Sequence, residues 1–206
     1  MSEAADLLQQ GQALLDQGDD RAALAAFDKA ARAGHPMGMN MVGRCIEFGR
    51  GANADKALAA RWYRAAAEYG LDWGMYNLAT LLALGDGVPM DRAEAFQLFG
   101  RAAALGHVKS MNMLGSFHED GWAGPVDLSR AAGLYRLAAE GGDFRGMFNH
   151  ARMLLEAGHP DEACRWLEKL PESANQAFLA KVRNWLNERP EEALRTLAAE
   201  FAQGVA

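Results

Sequence analysis

Cysteine is scarce in this chain of 206 residues: only Cys45 and Cys164 occur, far apart and in helical contexts. That excludes a disulfide scaffold and a zinc knuckle, and both read as small buried apolar side chains. Basic residues are also in deficit, 21 Lys and Arg against 27 Asp and Glu, for a net charge of −6 and a pI near 5.4. Nucleic acid is therefore not an expected partner, because binding phosphates needs clustered cations. No apolar run approaches the roughly 18 residues that span a bilayer, and the opening "MSEAADLL" carries acid where a secretory leader carries Lys or Arg. A cytoplasmic chain without membrane insertion is expected.

Catalytic signatures are missing as well. No Gly-Lys pair occurs, so the glycines of "GDGVPMD", residues 85–91, do not open a phosphate loop. Ser2, Ser110, Ser116, Ser129 and Ser173 all lack a Lys one turn on, as Ser-x-x-Lys acylation chemistry requires. His35, His107, His118, His150 and His159 form no HExxH and no close Cys/His spacing, so neither a metal nor another cofactor is expected.

What is present is a period of 36 residues. Gly34, Gly70, Gly106 and Gly142 each follow an Ala-rich stretch: "KAARAG", "AAAEYG", "RAAALG", "LAAEGG". An aromatic precedes each glycine by seven positions (Phe27, Tyr63, Phe99, Tyr135), and an acid by fifteen (Asp19, Asp55, Asp91, Asp127). A Met follows by five: Met39, Met75, Met111, Met147. Each Asp is placed to cap the second helix of a helix-turn-helix unit, with Glu94 expected as a reciprocal partner of Asp91. The alanines permit close helix approach, and the final Gly can close the helix in the left-handed conformation. One such pair cannot bury its apolar face alone, so the units must stack and share a core. The periodic Met, Phe and Tyr are core residues first.

These residues resemble the Sel-1-like repeat, a relative of the tetratricopeptide repeat. "YNLA", "GDGVPMD", "KALAARWYRAAAEYG" and "RAEAFQLFGRAAALG" match its pattern in order and spacing. The resemblance implies an all-α, right-handed α-solenoid of stacked antiparallel helix pairs. A single repeat domain is expected: a first tetratricopeptide-like unit over 1–34, three central repeats over 35–142, a fifth, shorter unit over 143–174 and a capping helix pair over 175–206. The first and fifth units are set apart by spacing. From first-helix small residue to second-helix Ala they span 12 positions (Gly11 to Ala23, Ala151 to Ala163), against 16 in the central units. In the cap, Phe178, Leu179, Val182, Trp185 and Leu186 share one helical face, and Pro190 is placed to open the next helix. The loop "GWAGPVD" departs from the family pattern by placing Trp122 where small residues are expected.

The resemblance also implies an adaptor or scaffold that gathers partners and is not an enzyme. Stacked helix pairs agree with this, since their first helices line a concave groove suited to an extended peptide or a partner helix. The expected groove stripes are Met37, Asn40 and Arg44; Trp73, Tyr76, Asn77 and Thr80; Lys109, Asn112 and Ser116; and Arg145, Phe148, Asn149 and Arg152. The last four fall at i, i+3, i+4 and i+7, so two guanidinium groups, a ring and an amide share a patch suited to an acidic segment or a carboxylate terminus. Tetratricopeptide clamps use Asn and basic residues in comparable places, which makes Asn77 and Asn149 candidates while Met41 and Met113 break the pattern. The competing reading of each Asn is a bridge between neighbouring helices. A β-lactamase-like hydrolase and a purely structural or oligomeric part are the alternative functions.

Overall fold

The computed structural model describes residues 3–203, which form thirteen helices and, among the described residues, no strand. In order these are α1 (Glu3–Asp16), α2 (Asp20–Arg32), α3 (Pro36–Glu47), α4 (Lys56–Glu68), α5 (Asp72–Leu84), α6 (Arg92–Ala104) and α7 (Val108–Asp120). There follow α8 (Leu128–Glu140), α9 (Phe144–Glu156), α10 (Pro160–Leu167), the single turn α11 (Leu170–Ser173), α12 (Gln176–Asn187) and α13 (Glu192–Gln203). The chain is an α-solenoid of repeats, and no helix among the described residues is long and apolar enough to cross a membrane. It packs as two compact units that part between Ser110 and Met111, near the repeat boundary at Gly106.

Capping follows the sequence pattern. Asp19, Asp55, Asp91 and Asp127 each accept the backbone N–H three residues on, at 2.8–3.0 Å, and start α2, α4, α6 and α8. Glu94 does not reciprocate. The Asp91 N–H donates instead to the Leu82 carbonyl, and the Glu94 carboxylate takes Arg64 of the preceding repeat at 2.5 Å. At the other end of α6 the chain turns through Gly106 at φ +90°, a left-handed conformation in open space. Its equivalents Gly34, Gly70 and Gly142 also lie at positive φ. Gly85, which ends α5, does the same at φ +68° and is a turn residue, as its sequence context requires.

Two contacts build the repeat core. The aromatic of each second helix lies on its own first helix: a Cβ at Gly115 would stand 2.5 Å from the Tyr135 ring, and one at Gly43 would stand 2.7 Å from Tyr63. The alanines meet the next repeat, where a Cβ at Gly74 would lie 2.7 Å from the Ala66 Cβ. In the second unit Leu167, Leu170, Val182, Leu186 and Leu194 are buried in a core shared by α9–α13. Cys45 is buried and burial pushes its thiol pKa up, whereas Cys164 is half-buried.

The repeat position that is Gly in α3, α5 and α9 is Ser110 in α7, and it is wholly buried. Its hydroxyl lies 2.9 Å from His107 Nδ1, and its N–H donates to that same nitrogen at 3.2 Å. An imidazole nitrogen that accepts an amide proton carries none itself, so buried His107 caps α7 in its neutral form. Burial pushes its pKa below 6.5, with Lys109 acting the same way and Asp72 opposing.

Two predictions follow from these geometries. Gly106→Val should lower stability by about 1 kcal/mol or more, because a β-branched residue resists positive φ. Gly100→Ala, at a helical site with open space, should not lower it, and equal melting temperatures for the two variants would remove the left-handed turn from the account. For His107 the folded pKa is depressed, so the unfolded chain takes up the proton first as pH falls. Its stabilising contribution is complete above about pH 6.5 and is lost as pH drops below that value toward the folded pKa. His150, also depressed by burial, acts in the same direction. Urea unfolding at pH 7 and pH 5 should show a fall that His107→Asn, a cap that does not titrate, makes smaller. An equal fall in both proteins would defeat this assignment.

Candidate functional site

In the first unit α3 packs on α5 and α1 on α3, so the first helices of successive repeats lie side by side. Their outer positions carry the expected residues, but these have separate jobs. Asn40 is buried and accepts a hydrogen bond from the Asn77 side-chain amide at 2.8 Å; its own amide nitrogen lies 3.9 Å from the Met37 sulfur. In the second unit Asn149 donates to buried Asn112 in the same way, at 2.8 Å. The four amides form two equivalent bridges between neighbouring first helices, and burial keeps Asn40 and Asn112 from meeting a partner directly. Thr80 returns its hydroxyl to the Tyr76 carbonyl at 2.9 Å.

The fifth-repeat stripe is largely engaged within the protein. Arg152 donates to Glu119 of α7 at 2.6 Å and to Glu156 at 3.1 Å. Glu119 also accepts the Tyr135 hydroxyl proton at 2.7 Å, and the Ser116 hydroxyl lies 3.1 Å from the same phenol oxygen. Burial alone would raise the Glu119 pKa, but the Arg152 and Tyr135 hydrogen bonds outweigh it and hold the group below its ordinary value. The ring of Phe148 is taken by the cap, 5.8 Å from Phe178 and 5.0 Å from Trp185. Arg145 is exposed and stacks over Phe144 and Phe178, at 4.5 and 5.9 Å. The patch that sequence spacing assembles is thus divided: Arg152 is neutralised and Phe148 is covered, and only Arg145 faces outward.

A more open arrangement occurs in the first unit. Trp73 keeps 36 % of its surface exposed and stands edge-on to His107 at 4.6 Å, with half-buried Tyr76 4.8 Å from the same imidazole. Lys109 reaches over the Trp73 ring at 5.0 Å. Arg44 is exposed on the neighbouring α3. The aromatic pair is held in place from beneath by Phe99, 5.9 Å from Tyr76, and by the capped His107. Such a surface offers apolar area at low entropic cost, since its rings are already fixed.

Beside it lies a recess of about 320 Å³ between α1 and the end of α3, bordered by Arg44, Phe48 and Arg50. Sequence reasoning missed Phe48 and Arg50. The available signal was the run of Arg44, Phe48 and Arg50 itself, which brings two cations and a ring to one helix end. Trp122, in the interhelix loop where small residues are expected, is 37 % exposed and packs edge-on against Phe117 at 5.3 Å. Among the described residues no group of three or more His, Cys, Asp or Glu could hold a metal ion.

The amide bridges generate a stability prediction. Asn77→Ala leaves the buried Asn40 oxygen without its donor and should cost about 1–3 kcal/mol, more than an exposed truncation such as Arg145→Ala. Equal melting temperatures for the two variants would show that the bridge contributes nothing.

The Sel1 repeat family model matches residues 1–35, 36–70, 74–107 and 108–143. The first unit is included, so its shorter interhelix spacing lies within the family's range. A search of the curated proteins finds no match. Among solved structures, a Sel1 repeat protein from Oxalobacter formigenes is 23% identical with a TM-score of 0.82, covering 99% of this chain and 89% of that one. The c5321 protein, a protective antigen present in uropathogenic Escherichia coli strains, is 25% identical with a TM-score of 0.77; 98% of this chain aligns with 45% of that protein. The immunity protein Pa5087 from Pseudomonas aeruginosa is similar in fold, at 13% identity and a TM-score of 0.65, covering 98% of this chain and 81% of that one. With four matched repeats occupying more than half its length, and with the caps, turns and small-residue contacts described above, this chain belongs to the Sel1 repeat family.

Proposed function

We propose that the chain is a cytoplasmic adaptor that holds an extended peptide or a partner protein against the face lined by the first helices of its repeats. Sel1 repeat proteins are, as a class, protein-interaction modules. The observation that carries the reading for this chain is the pre-positioned pair Trp73 and Tyr76 on α5, with Lys109 over the Trp73 ring. Fixed, partly exposed aromatic rings are enriched at interface hot spots. The Asn40–Asn77 bridge serves the face from below by fixing α3 against α5. The hydrolase alternative lacks such support, because no serine of the chain has a Lys one turn on.

The test is affinity capture from the native cell with the wild-type chain and with Trp73→Ala, each confirmed helical by circular dichroism. Losing the exposed indole should weaken binding of the captured partner about tenfold or more, as measured by calorimetry with the purified pair. Trp122→Ala should leave it unchanged. Undiminished affinity in Trp73→Ala, or turnover of nitrocefin by the pure protein, would overturn the proposal.

A further inference from the structure

Two arginines border the recess between α1 and the end of α3. Arg32, Arg64, Arg130, Arg136 and Arg152 all pair with carboxylates of the chain itself. Arg44 and Arg50, both exposed, border one recess and form no ion pair among the described residues. Of the carboxylates near it, Glu47 of α3 is held by the Tyr63 hydroxyl at 2.6 Å and Asp16 of α1 accepts the Gln12 amide at 2.8 Å. The recess has apolar walls in Leu15, Met41 and Phe48. Phe48 is 63 % exposed and gives the recess an accessible apolar edge. In a chain of net charge −6, two unpaired guanidinium groups over an apolar wall select an anionic group with apolar neighbours.

We infer that this recess takes the side chain of an Asp or Glu from an extended acidic peptide, and that the same peptide reaches Trp73 and Tyr76 with an apolar residue. The inference rests on the partner-binding reading above. A volume of about 320 Å³ accommodates one or two side chains and not a folded element, which favours an extended segment. The spacing follows from helix geometry. Arg44 corresponds to Thr80 one repeat later, and Trp73 lies seven residues before Thr80, or about 10 Å along the helix axis. Neighbouring helices stand about 8–10 Å apart, so the diagonal is roughly 14 Å, which an extended peptide covers in about four residues. The recognised pattern is therefore an acid and an aromatic or Leu separated by about four positions. Arg152 supplies no such site because Glu119 and Glu156 already occupy it.

The probe is a set of fluorescein-labelled peptides, each made capped at both ends and with a free C-terminal carboxylate, in which one Glu and one Phe are separated by zero to seven Gly or Ser residues. Binding is read by fluorescence anisotropy at low and high salt. Peptides with the pair about four apart should bind best, and replacing their Glu by Gln should weaken binding about tenfold or more. The double variant Arg44→Gln with Arg50→Gln should lose the same factor and most of the salt dependence, whereas Arg145→Gln should lose neither. Equal binding of Glu and Gln peptides, binding only of peptides with an uncapped terminal carboxylate, or undiminished affinity in the double variant would each overturn the assignment. If the double variant still captures the cellular partner while Trp73→Ala does not, the recess proposal fails and the adaptor reading stands. If neither variant affects capture, the partner-binding face itself is wrong.

Discussion

Contact between two backbones with almost no side chain between them is the constraint on which the structure depends. A Cβ at Gly74 would stand 2.7 Å from the Ala66 Cβ, and one at Gly146 would stand 2.5 Å from the Ala138 Cβ. At α3, α5 and α9 the preceding second helix therefore touches the first helix at alanine and glycine, an approach that larger residues forbid. Apolar volume has to be supplied elsewhere, and the aromatic at the inner side of every pair supplies it: Phe27, Tyr63, Phe99 and Tyr135 are each at most 1 % exposed. Where that ring is Tyr its hydroxyl requires a buried-side partner, which Glu47 and Glu119 provide. Those hydrogen bonds, with burial, push both phenol pKa values up and keep the rings neutral. Packing thus decides where the carboxylates sit, and the carboxylates decide which arginines remain available.

That consequence separates the two units. Glu119 has room for a second partner, and Arg152, one repeat later, takes it. The equivalent of Arg152 in the first unit is Thr80, which bonds its own helix, so Glu47 keeps only Tyr63 as a side-chain hydrogen-bond partner and no arginine is drawn inward. Similarly, the ring at Phe148 is roofed by Phe178 and Trp185 of α12, while its equivalent in the first unit, Tyr76, is half-buried beside Trp73. The second unit uses its polar and aromatic residues to hold itself and its cap. The first unit keeps Trp73, Tyr76, Arg44 and Arg50 at its surface.

The sequence was informative wherever the cause was local or strictly periodic. Asp19, Asp55, Asp91 and Asp127 act as caps, and Gly70 and Gly106 as left-handed turns, because the groups they satisfy lie within a few positions along the chain. Contacts between repeats were harder to read. Glu94 meets the capping-box pattern three residues after Asp91, yet its carboxylate goes to Arg64, thirty residues earlier. A charged guanidinium is a stronger partner than a neutral N–H already satisfied by the Leu82 carbonyl, and only stacking reveals that it is in reach. The pairing of Arg152 with Glu119 and the cover over Phe148 were hidden for the same reason. The Asn bridges were weighed as an alternative from sequence, and their spacing of 37 residues, one period plus one, is a signature that periodic reading could have used.

Repetition also explains why a binding face need not be uniform. A repeat array fixes the backbone at every unit, so any one unit can release its outer side chains from structural work without loss of the stack. In α3 and α5 the structural work is concentrated in a single buried amide bridge, Asn77 to Asn40, with Gly43 and Gly74 making the close contacts. One turn from these amides Arg44 is exposed, and Trp73 keeps 36 % of its surface in water while its ring rests against His107. Their value lies in what they can desolvate, and for two guanidinium groups beside an exposed Phe48 that is a carboxylate carried on an apolar chain.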